Sequence, residues 1–475
     1  MAILKRPWML AVALMILPHL TSATAQTSSS RPNIILIMCD DLGYGDLQCY
    51  NPKSIIQTPH LNQMASEGTR FTRFYSAAPV CSPTRGSCLT GRHPYRYGIY
   101  FANTGHLPSE EITIPELLKP LNYLSGHFGK WHLGTLTKTI EDANRGGVRG
   151  AKHFSTPAMH GFDESFVTES KVPTYDPMRS PLNANKNGWP PLSDSTPSKF
   201  YGTRFWNHDL DEVKDNLAGD TSKVVMDRVL PFIDHSLQSQ QPFFATIWFH
   251  APHLPVVAGD RHTEHYSDLS TYDRNYYGCI TAMDEQIGRL RSHLRKQGLE
   301  DDTIIWFCSD NGPEGNEGKA PGSAGGLRGR KRSLYEGGVR VPGILVWPNQ
   351  APNIDIDTPT VTSDILPSLV DLLNIDYPDT RPLDGISILP ILSQEISVRG
   401  HPIGFQSAKQ IAWHENDFKI YSPNSGQSWE MYDLAKDPTE ADNLAIREPA
   451  RLSKMVSEAK RWIDSCSKSD HGMDY

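Results

Sequence analysis

The sequence predicts an α/β fold: a large domain over residues 26–394, followed by a smaller C-terminal unit over residues 395–475. Three observations carry this. Asn33–Met38 and Thr303–Cys308 are short Ile-rich apolar runs without alternation, the pattern of strands buried on both faces at the centre of a parallel sheet. Both runs end in oxygen-bearing side chains and glycine. Between and around them lie helical patterns at 113–121, 220–236 and 272–296.

The composition sets limits before any motif is read. A chain of 475 residues with 38% hydrophobic content can bury a substantial core. Lys5 and Arg6 precede an apolar run from Trp8 to Leu17, and Ser22-Ala23-Thr24-Ala25 offers a small-residue cleavage site. A signal peptide over residues 1–25 and an exported protein, periplasmic or secreted, are therefore expected. The run is too short to span a bilayer, so stable membrane insertion is not expected. With 54 acidic against 46 basic residues the net charge is −8, which argues against a nucleic-acid binder. Seven cysteines are too few for a disulfide framework in a chain of this length, and Cys39 and Cys308, inside apolar runs, are expected to be buried.

The strand at 33–38 leads into Asp40-Asp41-Leu42-Gly43-Tyr44-Gly45-Asp46. Adjacent strand residues face opposite sides, so Asp40 and Asp41 converge only if the backbone leaves the strand, a freedom that Gly43 and Gly45 can supply. The strand at 303–308 leads into Ser309-Asp310-Asn311-Gly312. In open α/β sheets ligands bind beyond the carboxyl ends of the strands. Two carboxylates meeting there about 4 Å apart repel by roughly 4 kcal/mol at an effective dielectric near 20, which a divalent cation relieves. Asp40, Asp41, Asp310 and Asn311 offer only oxygen donors, so one hard ion such as Ca2+ or Mg2+ is expected rather than zinc.

Between these strands stands Cys81-Ser82-Pro83-Thr84-Arg85-Gly86, running on to Gly91. Ser82 can cap a helix, Pro83 suits its first position and Gly91 would end it. Cys81 then sits at the helix mouth, where free N–H groups and the helix dipole favour an anion, with Arg85 on the same side. Cys-x-Pro-x-Arg resembles the maturation signature of the type I sulfatases. In that family the cysteine is oxidised after synthesis to formylglycine (3-oxoalanine), an aldehyde that hydrates to a geminal diol. A hydrated aldehyde would also give the cation an oxygen, where a thiol at position 81 is a poor partner.

Thr113–Leu121 reads as a helix and Tyr123–Gly129 as a strand, followed by Lys130-Trp131-His132-Leu133-Gly134, a marker of the same family. On an extended segment Lys130 and His132 share a side, and the resemblance implies that both reach the sulfate pocket. From Thr135 to about Asp220 the chain is rich in Pro, Gly, Asn and Ser and reads as loops over the ligand edge of the sheet. Trp189, Tyr201, Phe205 and Trp206 within it can stack on sugar rings or form the local core of the loop. Asp220–Ser236 reads as a helix, Pro242–Phe249 as a buried strand leading to His250-Ala251-Pro252-His253-Leu254-Pro255. The family pattern maps a leaving-group histidine onto His253 and leaves His250 a packing role or a supporting one behind the site.

Tyr272–Lys296 reads as a long amphipathic helix. Arg330-Lys331-Arg332 precedes Tyr335-Glu336-Gly337-Gly338-Val339-Arg340, a further family marker that maps the active-site lysine onto Lys331. The commoner family form has glycine where Arg332 stands, and whether Arg330 or Arg332 contacts substrate is open. A strand at 343–347, a helix at 363–373, and strands near 410–420 and 429–432 complete the reading.

The resemblance runs from about residue 31 to 440. It implies an alkaline phosphatase-like fold: a large mixed central sheet with helices on both faces, then a smaller C-terminal antiparallel sheet with a helix. It is nearest to the arylsulfatase and N-acetylgalactosamine-6-sulfatase group. It implies hydrolysis of a sulfate ester, with a sulfated sugar or polysaccharide fragment preferred as substrate, and a formylglycine-generating or sulfatase-maturating enzyme as partner. In the implied mechanism the diol at position 81 attacks sulfur while Arg85, Lys130, Lys331 and the cation hold the sulfate oxygens. His253 and Lys331 protonate the leaving oxygen, and His132 then takes the proton that lets sulfate depart. Two alternatives are a phosphodiester or phosphonate monoester hydrolase on the same core and a non-catalytic protein that binds sulfated glycans.

Overall fold

Strand β1 (Asn33–Cys39) is buried along its whole length. Ile35, Ile37 and Cys39 pack into one core, and Ile34, Leu36 and Met38 into another on the opposite face of the sheet. That double burial is why the strand is apolar throughout. The computed structural model describes residues 31–474, so the expected signal peptide lies outside the described residues. From Pro32 onward they form one compact unit.

β1 runs parallel to both its neighbours, β10 (Thr303–Ser309) and β9 (Phe243–Trp248). Beyond β9 the parallel order continues through β3 (Leu124–Lys130) and β4 (Glu164–Thr168), and then β7 (Phe205–Asn207) and β8 (Glu212–Val213) close that edge antiparallel. On the other side β11 (Arg340–Val346) and β2 (Thr69–Tyr75) are antiparallel, and β12 (Asp355–Ile356) and β13 (Thr360–Val361) pair parallel with β2. The result is an 11-stranded mixed sheet. A separate two-stranded sheet joins β5 (Arg179–Pro181) to β6 (Ser198–Phe200). The five central parallel strands bring their carboxyl ends to one edge, and the candidate site lies there.

Helices cover both faces, as expected. α1 (Pro59–Glu67), α4 (Thr221–Gln238) and α6 (Thr271–Lys296) contribute Met64, Val229, Met283 and Ile287 to one core. α2 (Cys81–Thr90), α3 (Ile114–Leu118) and α8 (Ile365–Leu372) contribute Leu89, Leu118 and Leu366 to the other. Shorter turns are α5 (Asp260–Thr263), α7 (Glu336–Val339) and α9 (Leu389–Leu392). The smaller sheet follows the order β14 (Ile403–Ser407), β15 (Gln410–Glu415), β16 (Phe418–Ser422) and β17 (Glu430–Asp433), all antiparallel. Helix α10 (Pro449–Asp470) packs Met455, Ala459 and Trp462 against Trp413, Ile420 and Met431 of that sheet.

Four details differ from expectation. Residues 135–220 are not only loops: β4, β7 and β8 belong to the main sheet. Residues 410–420 form a hairpin, turning at Asn416, whose φ of 53° is left-handed. Helix α2 begins at Cys81 itself with Val80 as the preceding residue, so Ser82 is inside the first turn rather than capping it; Gly91 ends the helix at φ 69°. Finally, Asp41 supplies the turn after β1, with φ 69°. Gly43 instead allows close approach, since a Cβ there would lie 2.2 Å from the Ser323 carbonyl oxygen.

Of the four aromatic side chains singled out in the long segment, Phe205, Trp206 and Trp189 are buried and Tyr201 is half-buried. Phe205 stacks on Phe166 with centroids 4.6 Å apart, the Trp206 indole donates to Asp142 at 2.8 Å, and Trp189 is buried. Cys39 and Cys308 are buried as expected, and all seven cysteines are free.

Candidate active site

Cys81, the first residue of α2, lies with its Sγ 3.3 Å from Asp40 Oδ1 and 4.0 Å from Asp41 Oδ1. The left-handed turn at Asp41 lets both carboxylates face the helix mouth. Ligand atoms of Asp40, Asp41, Cys81 and His253 all lie within 4.8 Å of one another. Asn311 donates its Nδ2 to Asp41 Oδ1 at 2.8 Å, while its buried Oδ1 has no hydrogen-bond partner among the described residues. An orphaned buried carbonyl oxygen beside two buried carboxylates is a donor set that suits a hard cation.

Asp310 stands at the same edge with its carboxylate heavily engaged. Its Oδ2 accepts from Arg85 Nε at 3.0 Å and Nη2 at 2.6 Å, and its Oδ1 from the Asp41 amide at 3.1 Å. Arg85 is wholly buried, lies over the Trp248 ring and also approaches Asp40 Oδ1 at 3.6 Å. It does not line the cleft above Cys81. Arg85 therefore faces the carboxylates Asp310 and Asp40 from below the cleft.

Two lysines reach the site from opposite sides. Lys130, at the end of β3, places Nζ 2.6 Å from Asp40 Oδ2. Lys331 places Nζ 2.6 Å from Asp41 Oδ1 and 3.5 Å from Glu314 Oε2. Gln410 of β15 holds the Lys331 segment, donating to the Arg332 carbonyl at 2.7 Å and accepting from the Leu334 amide at 3.0 Å. Arg332 has a φ of 75°, which gives glycine its advantage at this position. Its side chain lines the cleft and pairs with Glu314 at 2.7 Å, while Arg330 is turned inward onto the carbonyls of Glu314 and Gly322. Of the two arginines, Arg332 lines the cleft and Arg330 does not.

The histidines separate by role. His132 is buried, with Nε2 2.9 Å from Asn103 Oδ1 and Nδ1 without a partner among the described residues. Asn144 Nδ2 donates to the same Asn103 oxygen at 3.1 Å. An oxygen accepts from both, so His132 carries its proton on Nε2 and presents the Nδ1 lone pair. His253 Nδ1 donates to the Leu254 carbonyl at 2.7 Å, leaving Nε2 3.7 Å from Asp41 Oδ2. His250 is buried against the Thr168 hydroxyl at 2.8 Å, the packing role expected of it.

Burial and charge set the protonation states. Burial, then the Asp310 and Asp40 charges, push the Cys81 thiol well above its ordinary value, overriding the helix mouth. A thiol so held is a poor nucleophile. Burial raises Asp40, but Lys130, His253 and Arg85 together hold it well below the usual carboxylate range. Burial and the charge of Asp40 raise Asp310 to about 7 against the pull of Arg85. Burial lowers His253 to about 4 and, with Lys130 and Arg145, takes His132 well below its ordinary value. Burial alone would lower Lys331, yet Asp41 and Asp40 raise it and keep it charged.

The cleft above Cys81 has a volume of about 690 Å³. Lys130, His132, His253, Lys331 and Arg332 line it together with Phe101, Tyr272 and Glu314. Every residue singled out in the sequence thus meets at one edge, Arg85 and Asp310 beneath the surface. Asn103, Asn144, Ser170 and Lys171 also belong to the site and escaped the sequence reading. Ser170 and Lys171 follow β4, so recognising that strand would have marked them by the same rule that marked Asp40 and Asp310. Asn103 and Asn144 lie on loops with no comparable signal.

Comparison with known proteins gives a consistent answer. The family model described as Sulfatase matches residues 32–375, and the model described as N-sulphoglucosamine sulphohydrolase, C-terminal, matches residues 329–466. The chain is 32% identical to N-acetylgalactosamine-6-sulfatase of Sus scrofa over 433 residues, covering 87% of this chain and 76% of the relative. It is 28% identical to arylsulfatase D of Homo sapiens, covering 91% and 87%. The crystal structure of Ps i-CgsB in complex with k-i-k-neocarrahexaose is similar with a TM-score of 0.76 and 27% identity, covering 91% of this chain and 93% of that one.

Proposed function

The chain belongs to the sulfatase family and is a sulfuric ester hydrolase, and on that premise we propose that it removes a sulfate group from a sulfated sugar or polysaccharide fragment, using position 81 as the nucleophile. The observation that carries this is the placement of Cys81 at the mouth of α2, 3.3 Å from Asp40 and faced by Lys130 and Lys331 across a cleft of about 690 Å³. The exported, periplasmic or secreted setting expected of the leader suits an extracellular polysaccharide substrate.

Asp40, Asp41 and Asn311 would hold a divalent cation with Asp310 beside them, and their all-oxygen character favours Ca2+. Bound there, the ion supplies positive charge against sulfate oxygens and lowers the pKa of an oxygen at position 81. Oxidation of Cys81 by a maturation enzyme would supply a geminal diol, whose hydroxyl displaces the alcohol from sulfur and whose second hydroxyl allows sulfate to leave without hydrolysis of a stable ester. The high thiol pKa of Cys81 supports this reading, because the unmodified side chain is ill suited to attack.

The remaining roles belong to side chains already placed. Lys130 and Lys331 approach from two sides and hold the sulfate oxygens as charge moves to the leaving oxygen. Lys331, kept charged by Asp41, is the standing proton source for that oxygen. His253 presents Nε2 to the same region and joins when protonated. His132 Nδ1, fixed as the lone-pair nitrogen, takes up a proton in the second half of the reaction. Arg85 keeps Asp310 and Asp40 oriented from below.

The test is the mass of the proteolytic peptide carrying Cys81, from protein made with a maturation enzyme, together with release of sulfate and phosphate from paired esters. An aldehyde mass with sulfate release is expected. A thiol mass in active protein would remove the nucleophile, and faster phosphate release would favour the phosphoester alternative.

A further inference from the structure

Lys171 lies two residues beyond Glu169, whose carbonyl accepts from the His132 amide at 3.0 Å. It is thus carried to the cleft by the same strand pairing that positions Lys130 and His132, and its own carbonyl is fixed by the Thr203 hydroxyl at 3.1 Å. The side chain lines the cleft above Cys81 and is only partly exposed. The other cations named at the site are matched: Lys130 by Asp40, Lys331 by Asp41 and Glu314, Arg332 by Glu314. Lys171 makes no ion pair or side-chain hydrogen bond with any described residue. Burial and the nearby charges of Lys130 and Lys331 oppose its ammonium.

Asp40 and Asp41 favour the ammonium more weakly and are already paired with Lys130 and Lys331, so Lys171 keeps hydrogen-bonding capacity that an anionic ligand can fill. The scissile sulfate already has Lys130 and Lys331, which flank Cys81. Lys186 and Lys319, both exposed, line the same cleft and add positive charge to it. Phe101 and Tyr272 also line the cleft and offer apolar surface to a sugar ring.

We propose that Lys171 receives a second anionic group of the substrate, a carboxylate or a further sulfate on the reacting sugar or its neighbour. The inference rests on the sulfatase reading and specifies its substrate as a sugar bearing at least two anionic groups.

The experiment measures sulfate release by the matured full chain from singly sulfated monosaccharides, their disulfated counterparts, sulfated disaccharides containing a uronate, and 4-nitrophenyl sulfate as the single-anion reference. The expected best substrate carries a second anion, and whether that anion is sulfate or carboxylate distinguishes the two sources. Lys171→Met is expected to lower kcat/KM on that substrate roughly tenfold or more beyond its effect on 4-nitrophenyl sulfate, and Lys171→Arg to retain most of the preference. A best substrate with one anion, or equal losses on both classes, overturns the proposal. Wild-type protein that releases sulfate from none of them overturns the sulfatase reading and this inference with it.

Discussion

His132 Nε2 stands 2.9 Å from Asn103 Oδ1, and both residues have left-handed backbones, at φ 59° and 62°. The contact decides which imidazole nitrogen is free to accept a proton. Asn103→Leu should lower kcat by roughly a factor of ten to a hundred with little change in KM, because the ring loses its fixed tautomer while the sulfate-binding lysines stay. Steady-state kinetics with pH profiles check this; an unchanged kcat would mean that His132 is held by its packing alone.

Asp41 serves the site twice, as a carboxylate facing Cys81 and as the partner of Lys331. Asp41→Asn should reduce bound metal and turnover together, whereas Gly43→Ala should disturb both less directly, by driving a Cβ toward Ser323. Elemental analysis of dialysed protein beside rate measurements tests the pair. Full metal content in Asp41→Asn would take it out of the ligand set.

Glu336, within the Tyr-Glu-Gly-Gly-Val-Arg motif, is buried and meets Lys419 of β16 at 2.9 Å, while Lys419 also meets Glu440 at 2.9 Å. The motif glutamate thus ties the small sheet to the main one. Lys419→Ala leaves two buried carboxylates facing each other and should destabilise the protein by about 3–5 kcal/mol. Urea unfolding measures the loss; a change below about 1 kcal/mol would assign the joint to apolar packing instead.

Acid should unfold the protein through buried neutral histidines. Burial lowers His93 and His127 to about 3 and His160 to about 4. At each of these histidines the unfolded chain binds more protons than the folded one between that value and the ordinary pKa near 6.5, so each contributes a loss of stability as pH drops through that window. Buried carboxylates raised to about 7, such as Asp46 and Asp284, contribute the opposite sign. His127 is enclosed by Trp131, Trp248 and Phe162. His127→Phe should make stability between pH 6.5 and 4 less steep in pH, by up to roughly 1.4 kcal/mol per pH unit. Denaturant midpoints at several pH values read this directly, and an unaltered slope would place the acid sensitivity elsewhere.

The central strands and the carboxylates that follow them were readable in the sequence because burial on both faces leaves an uninterrupted apolar run, as at Ile34–Met38 and Ile304–Cys308. β2 and β4 were not. Thr69–Tyr75 mixes arginine and threonine with its phenylalanines, and Glu164–Thr168 is five residues inside a polar stretch, so neither has a distinctive pattern. The residues of the site were likewise legible by type, and their directions were not. Nothing in Cys-x-Pro-x-Arg says that Arg85 faces inward to Asp310; that follows from where α2 lies on the sheet. Asn103 and Gln410 act from segments distant in sequence and became visible only through the atoms they touch.

Cys81 is 1% exposed, enclosed by Asp40, Asp41 and the first turn of its own helix. In the folded chain that side chain is reached only from the floor of the cleft, with its own helix turn and two carboxylates packed around it. Any conversion of Cys81 therefore belongs to an earlier moment in the life of the chain, while residues around 81 are still extended. Lys331, which faces the same carboxylates, is held through the Pro313 carbonyl and Asp41 and through Gln410 contacts to the residues that follow it, so the cleft is completed only by segments that come long after residue 81 in the chain. Folding speed and conversion speed are then in competition, and a variant that folds faster without any change at the cleft would yield a smaller active fraction.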